Sequence, residues 1–281
     1  MKILVILNIL FLFVAGCGNK NSTNHITALQ PSASDLAALN DVKVTLITQF
    51  NQFNNAMNMS ALRLKSSGLS GNDAVNCLKG LNETLEFVNV AGTIDMQGRR
   101  LEIYPQGYFT EAGLSSTIPE VEKISEHIRR GEKHLSLMCS TKPGLNEVYY
   151  FVPVKDANNV VQGAVYIQIE ITKMLRDIIE PQITGRQLNI WVLQRDGIIL
   201  YDTSSNEIGL NVFKDKPFTD YPDLVKCAKE IVARESGTGM YSYITKGKEK
   251  LQRKRAQWNT FFCANRQWRI ILNKEDRVFN D

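Results

Sequence analysis

Residues 149–175 read YYFVPVKDANNVVQGAVYIQIEITKML. Two runs rich in β-branched and aromatic side chains, within 146–156 and 160–171, flank the tetrad Asp156-Ala157-Asn158-Asn159. Asp and Asn accept turn geometry and bond their own backbone two residues on, so the segment predicts two antiparallel strands joined by a short turn. The period then changes. In TKMLRDIIEPQI, residues 172–183, apolar side chains recur at steps of three and four, which predicts a short helix closed by Pro181. Strands and helices in separate runs fit an α+β class.

The same kinds of element extend in both directions. Upstream, KHLSLMCS (133–140) reads as a third strand. IPEVEKISEHIRRG (118–131) reads as a helix, with Pro119 in the first turn and Gly131 past the end. ETLEFVNVAGTIDMQGRRLEIY (83–104) reads as a hairpin turned at Asp95-Met96-Gln97-Gly98. Downstream, LNIWVLQRDGIILYD (188–202) is a hairpin turned at Arg195-Asp196-Gly197. A loop follows, then a helix in DYPDLVKCAKEIVARESG (220–237) with Pro222 near its first position, then strands in GMYSYIT, RAQWNTFFCA and WRIILN. The order β-β-α-β-β-β therefore occurs twice. Ahead of both copies, Ser34 and Asp35 offer an N-cap and a negative first turn. Apolar residues then fall at Leu36, Leu39, Leu46, Phe50, Phe53, Met57 and Leu64, which predicts one long amphipathic helix.

The N-terminus speaks to location. Residues 3–15 are almost wholly apolar behind Lys2, too short to span a bilayer and proportioned as a secretion signal. Val14-Ala15-Gly16-Cys17 resembles a lipobox, with Cys17 as the residue that takes the lipid; the alternative is an ordinary signal peptide with a chance cysteine. Several acyl chains would make a stable anchor. The polar stretch that follows reads as a flexible tether, and no second apolar run of spanning length appears, so the remainder is expected to be extracytoplasmic. Four further cysteines, Cys77, Cys139, Cys227 and Cys263, allow two disulfides or four buried thiols. Cys227 shares a helix face with Leu224 and Ile231, and Cys263 lies in a strand of the same unit. A pair in that unit would therefore join these two, and Cys77 with Cys139 is the other candidate pair.

The β-β-α-β-β-β order is that of a PAS-like module. A long helix followed by two such modules resembles the double-Cache family of extracytoplasmic sensors. Three stretches carry the resemblance: residues 149–175, with Asn159 where a turn glycine is usual; QRDGIILYDTSSNEIGLNV (194–212); and the closing strands from GTGMYSY to WRIIL. It implies an α+β fold of two five-stranded antiparallel sheets with flanking helices. The implied boundaries are a signal peptide at 1–16, a tether at 17–33, the long helix at 34–70, a membrane-distal module at 71–184 and a membrane-proximal module at 185–281. It implies a small-molecule ligand in the distal module. Where the family leads into a transmembrane helix and a cytoplasmic output domain, this sequence reaches Asp281, so a membrane partner is expected to transmit any signal.

Within the distal module Tyr104, Tyr149, Tyr150 and Tyr166 could supply amphipathic rings, and Arg129 with Arg130 could meet an anionic group. The bland alternative makes them ordinary strand residues and a solvated helix end. Relatives that bind amines place an aspartate where Gln168 stands, and an uncharged Gln does not offset a buried cation. Amine ligands are thus disfavoured, and carboxylates, sugars and neutral metabolites stay open. The two heptad-spaced tracks of the long helix suggest either packing on the chain itself or a weak homodimer. KGKEKLQRKR (246–255) is either a solvated loop or a patch for anionic lipid.

The net charge of +4 makes no argument for nucleic acid. His25, His127 and His134 lack helical metal-pair spacing, and GxSxG, GxxxxGK[ST] and CxxC motifs are missing, so no metal, cofactor or catalytic residue is expected. A lipid-anchored sensor is the leading expectation. An assembly lipoprotein and an unrecognised hydrolase are the alternatives.

Overall fold

The computed structural model describes residues 32–111, 118, 120–142, 144–186, 188–244 and 252–275. The signal segment, Cys17, His25, Pro119, Lys246, Lys248 and Lys250 lie outside the described residues.

Helix α1 (Ala33–Ser67) opens on Ser32, two residues ahead of the expected cap. Ser32 Oγ accepts the Asp35 N–H at 3.1 Å while Asp35 Oδ2 accepts the Ser32 N–H at 3.0 Å, a reciprocal pair that satisfies two donors at the helix start. A second helix, α2 (Asn72–Thr84), was not expected. It buries Ala74, Cys77, Leu78 and Leu81 against α1 and the first sheet.

The first module then runs β1 (Val88–Asp95), β2 (Arg100–Tyr104), α3 (Tyr108–Glu111), α4 (Val121–Arg129), β3 (His134–Leu135), β4 (Cys139–Lys142), β5 (Leu145–Lys155), β6 (Val161–Glu170) and α5 (Ile171–Ile183). Its antiparallel sheet has the order β2-β1-β6-β5-β3, with β4 also on β5. It has six strands, not five, because the expected third strand is split into β3 and β4. Pro181 does not close α5 but sits inside it, in the last turn. The second module runs β7 (Asn189–Gln194), β8 (Ile199–Asp202), α6 (Lys216–Thr219), α7 (Pro222–Ala233), β9 (Gly237–Tyr243), β10 (Gln252–Cys263) and β11 (Arg266–Glu275), with five strands in the order β8-β7-β11-β10-β9.

One continuous core joins the modules. The rear faces of both sheets pack on α1, with α2 and α5 filling in beside it. Leu39, Leu46, Phe50, Phe53, Met57 and Leu64 are buried there, each side chain contributing about 1.5–3 kcal/mol. Phe50 meets Phe53, Phe261 and Trp268 at ring distances of 5.6, 5.2 and 5.5 Å. The two helix tracks are therefore used on the chain's own sheets, the first of the two expected uses. Only Leu36 among those seven residues is exposed.

Cys77, Cys139, Cys227 and Cys263 are free thiols, the second of the two expected states, and neither candidate pairing forms. Cys227 belongs to the core in front of the second sheet, whereas Cys263 packs against the shared core behind it. Cys77 packs on α1 behind the first sheet and Cys139 on its front, so in both cases a sheet separates the candidates.

Candidate functional site

The front of the first sheet, covered by α3 and α4, gathers Val90, Ile94, Phe109, Ile118, Ile124, Ile128, Tyr149, Phe151, Ala164 and Tyr166 into a separate core. Polar groups are set into this apolar wall. Strand alternation places Glu147, Tyr149 and Phe151 of β5 and Ala164, Tyr166 and Gln168 of β6 on the front face. Gly92 of β1 lies opposite Tyr166, and a Cβ at Gly92 would lie 2.5 Å from the tyrosine ring, so only glycine admits the ring there.

Arg100 joins them through an irregularity. The β1–β2 register pairs Thr93 with Glu102 but Ile94 with Arg100, leaving Leu101 as an extra residue. That bulge turns Arg100 onto the same face as Ile94. Its Nε donates to Tyr166 Oη at 3.0 Å, and its guanidinium lies 4.0 Å from the centre of the Phe109 ring. Both terminal nitrogens are buried without a partner among the described residues, as are Tyr149 Oη, Gln168 Oε1 and, on α4, Ser125 Oγ. A buried donor or acceptor left unpaired costs about 1–3 kcal/mol, and buried polar groups are otherwise almost always bonded. Burial raises the phenol pKa of Tyr149 and Tyr166, so both remain protonated donors at neutral pH.

Glu147 is wholly buried beside them. Its Oε1 accepts from Asn89 Nδ2 at 2.7 Å and Tyr108 Oη at 3.4 Å, and its Oε2 from Thr141 Oγ1 at 2.7 Å and from Gln168 Nε2. All four donors are neutral.

The expected residues divide. Tyr149, Tyr166 and Gln168 come together on this face. Tyr104 does not: it packs on the rear core, and its hydroxyl is 3.4 Å from Glu83 of α2. Tyr150 also faces rearward and bonds Asn54 of α1 at 3.0 Å. Arg129 is exposed at the end of α4, and Arg130 pairs with Glu126 and Glu132. Arg100, Glu147, Asn89, Thr141 and Tyr108 were missed. An acid between Leu145 and the odd-numbered Tyr149, Phe151 and Pro153 of β5 was the legible signal for Glu147.

The matching face of the second module is occupied by its own side chains. Trp191 Nε1 donates to Asp202 at 3.0 Å, Tyr241 to Asn273 at 3.0 Å and Tyr243 to Glu207 at 2.5 Å, and Lys254 Nζ lies 5.4 Å from the Tyr243 ring. Lys254 and Arg255 are buried in β10, so those two bases do not form part of a lipid-facing patch. A shallow groove of about 390 Å³ elsewhere runs between Leu36 and Leu39 of α1 and Thr238 and Trp258 of the second sheet.

Polar contacts also link the modules, among them a seam at the β10–β11 hairpin. Asn265, at the tip of the β10–β11 hairpin, accepts the Leu135 N–H at 2.8 Å and lies 3.1 Å from His134 Nδ1. Arg266 Nε donates to the Leu135 carbonyl at 2.7 Å.

No family model matches the sequence, and no curated protein matches it. Solved structures do. An extracellular ligand-binding receptor from Desulfohalobium retbaense superposes with a TM-score of 0.67 at 21% identity, over 84% of this chain and 39% of that one. This chain thus spans well under half the length of that receptor structure. The periplasmic sensory domain of the Campylobacter jejuni chemoreceptor Tlp1 gives 0.57 at 11% identity, over 88% and 98% of the two chains. The chain has the double-Cache fold. A third structure, the ligand-binding domain of the Pseudomonas aeruginosa amino-acid chemoreceptor PctC in complex with GABA, gives 0.56 at 11% identity over 85% and 95%.

Proposed function

We propose that this chain is an extracytoplasmic small-molecule sensor domain, held at a membrane by lipid on Cys17 and acting through a separate signalling partner. The carrying observation is the set of buried, unpartnered polar atoms on the front of the first sheet: the Arg100 terminal nitrogens, Tyr149 Oη and Gln168 Oε1. An apolar wall with a few convergent polar tips is the usual chemistry of a small-molecule site. The fold is shared with sensory domains of chemoreceptors and histidine kinases, one of them solved with GABA. The lipobox at Val14–Cys17 supports the anchor. Among the described residues no helix is long and apolar enough to cross a membrane. The partner belongs to the same proposal: a lipid on Cys17 would reach only one leaflet of the membrane.

A thermal-shift screen of the purified protein against a metabolite library tests the assignment. A true ligand at 100 times its Kd should add about 2.7 kcal/mol of stability. Arg100→Gln and Tyr149→Phe should reduce the shift. A library without a hit, or hits indifferent to both variants, would remove the proposed site.

A further inference from the structure

The hairpin seam fixes the tautomer of a buried histidine. The Leu135 N–H is a backbone donor, so the Asn265 atom that meets it at 2.8 Å is the acceptor Oδ1. The two ends of an amide are normally hard to tell apart, but a backbone N–H decides the matter. That leaves Nδ2, a donor, 3.1 Å from His134 Nδ1. Nδ1 therefore accepts, and the neutral ring carries its proton on Nε2, which is buried without a partner among the described residues. The ring is 1% exposed and lies between Phe151 of β5 and His127 of α4, at ring distances of 6.5 and 4.5 Å. Burial opposes a charge there, as do His127 and Lys123 of α4 and Arg266 of β11, while Glu120 at the start of α4 favours one.

A second proton cannot enter this arrangement without breaking it. It would go to Nδ1, where two N–H groups would then face each other. Asn265 is exposed and can turn its amide to offer Oδ1 to the imidazolium. Its Nδ2 then meets the Leu135 N–H, which loses its acceptor. The same hairpin tip carries Arg266, which donates to the Leu135 carbonyl at 2.7 Å and reaches the Glu120 carboxylate. A cationic His134 repels that guanidinium as well.

We infer that His134 and Asn265 form a proton-operated latch, in which proton uptake at His134 Nδ1 inverts the Asn265 amide and releases the β10–β11 hairpin from β3 and from the start of α4. Acid thereby loosens the second module from the helix that covers the front of the first sheet. It is an input separate from any small molecule, and it does not depend on the front of that sheet being a ligand site. Asn265 is the positioning residue: its amide bridges a backbone donor and the ring, and so ties the two together.

The test is nuclear magnetic resonance on the full chain in detergent micelles, titrated from neutral pH into acid. Isotope-labelled histidine reports the His134 tautomer and titration, and amide hydrogen exchange reports Leu135. At neutral pH His134 should carry its proton on Nε2. As it titrates, toward the pKa of about 4 to which its surroundings lower it, the protection of the Leu135 amide should fall by about tenfold or more. The amides of Ile167 and Ile271, in the central strands of the two sheets, should keep theirs. Asn265→Asp supplies an acceptor to both neighbours at once. It should move the proton to Nδ1, raise the His134 titration by about one pH unit or more, and keep Leu135 protected in acid. His134→Phe should remove the acid dependence at Leu135; if that variant fails to fold, Asn265→Asp carries the test alone. A neutral ring protonated on Nδ1 in the wild type overturns the latch. So does a His134 titration unchanged in Asn265→Asp, or loss of protection at Ile167 and Ile271 together with Leu135, which is global unfolding.

Discussion

The guanidinium of Arg266, at the tip of the β10–β11 hairpin, lies 3.3 Å from the carboxylate of Glu120, at the N-cap of the helix that covers the candidate site. Glu120 also binds Lys123 at 2.8 Å and accepts the Leu137 N–H at 3.2 Å. Burial raises its pKa, but these hydrogen bonds and the Arg266 charge outweigh it and hold the carboxyl below its ordinary range. The second module thus grips the helix that covers the front of the first sheet.

That grip can be measured. Arg266→Ala should destabilise the protein by about 1–2 kcal/mol, since it also strips the Leu135 carbonyl of its donor. A double-mutant cycle with Glu120→Ala should return a coupling of about 0.5–1 kcal/mol in denaturant unfolding, as for a half-buried pair. Additive single effects would show that the pair does not link the modules.

His134 makes the seam sensitive to acid. Its buried Nδ1 lies 3.1 Å from Asn265 Nδ2, with the His127 ring 4.5 Å from its own. Burial first, then the charges of His127, Arg266 and Lys123, lower its pKa from 6.5 to about 4, with Glu120 opposing. The unfolded chain therefore takes up this proton before the folded one does. Stability from this group is complete above pH 6.5 and drains away as pH falls toward about 4, by about 1–3 kcal/mol in all. His134→Asn should flatten chemical-unfolding free energies over that window; an unchanged pH slope would assign the acid sensitivity to other groups.

Opposite faces of α1 should answer differently to charge. Phe50→Glu places a carboxylate among Phe53, Phe261 and Trp268 and should cost about 3 kcal/mol or more, or prevent folding. Val44, Ile47, Met59 and Leu62 lie on the outer face and are 52%, 39%, 55% and 62% exposed. Ile47→Glu should change stability by less than about 0.5 kcal/mol. A dimer through α1 would have to use this outer stripe, so sedimentation of wild type and Ile47→Glu, Leu62→Glu should show an association weakened by the double change. A dimer indifferent to it places the contact elsewhere.

The cysteines make a chemical prediction. Burial raises the Cys139 thiol to about 12 and that of Cys227 to about 11, and it also raises Cys263. In native protein these three should react slowly with iodoacetamide at pH 8, because little thiolate forms. Unfolded without reductant, Cys77, Cys139, Cys227 and Cys263 should all alkylate. A peptide map showing Cys227 linked to Cys263 would contradict the fold of the second sheet.

What the sequence disclosed, and what it hid, follows from periodicity. Strands β5 to β7 and helices α1 and α7 were legible because a single period holds across each and turn residues such as Asp156 and Gly197 punctuate them. Helix α2 was missed although Ala74, Cys77, Leu78 and Leu81 keep helical spacing, because they are few and flanked by glycine and asparagine. Arg100 was hidden for a different reason: strict alternation back from Ile103 puts it on the rear face, and the extra residue at Leu101 reverses that. Tyr104 and Arg129 were chosen for their chemistry, and their elements turn them away from the front of the first sheet. Which side of a sheet a helix covers is a long-range fact, and no local pattern carries it.

The most direct measurement is a crystal structure of the protein with its strongest thermal-shift ligand. The account predicts ligand density in front of the first sheet, within hydrogen-bond distance of the Arg100 terminal nitrogens and of Gln168 Oε1. A ligand lodged in the second module, or in the groove between Leu39 and Trp258, with Arg100 left as it stands, would contradict it.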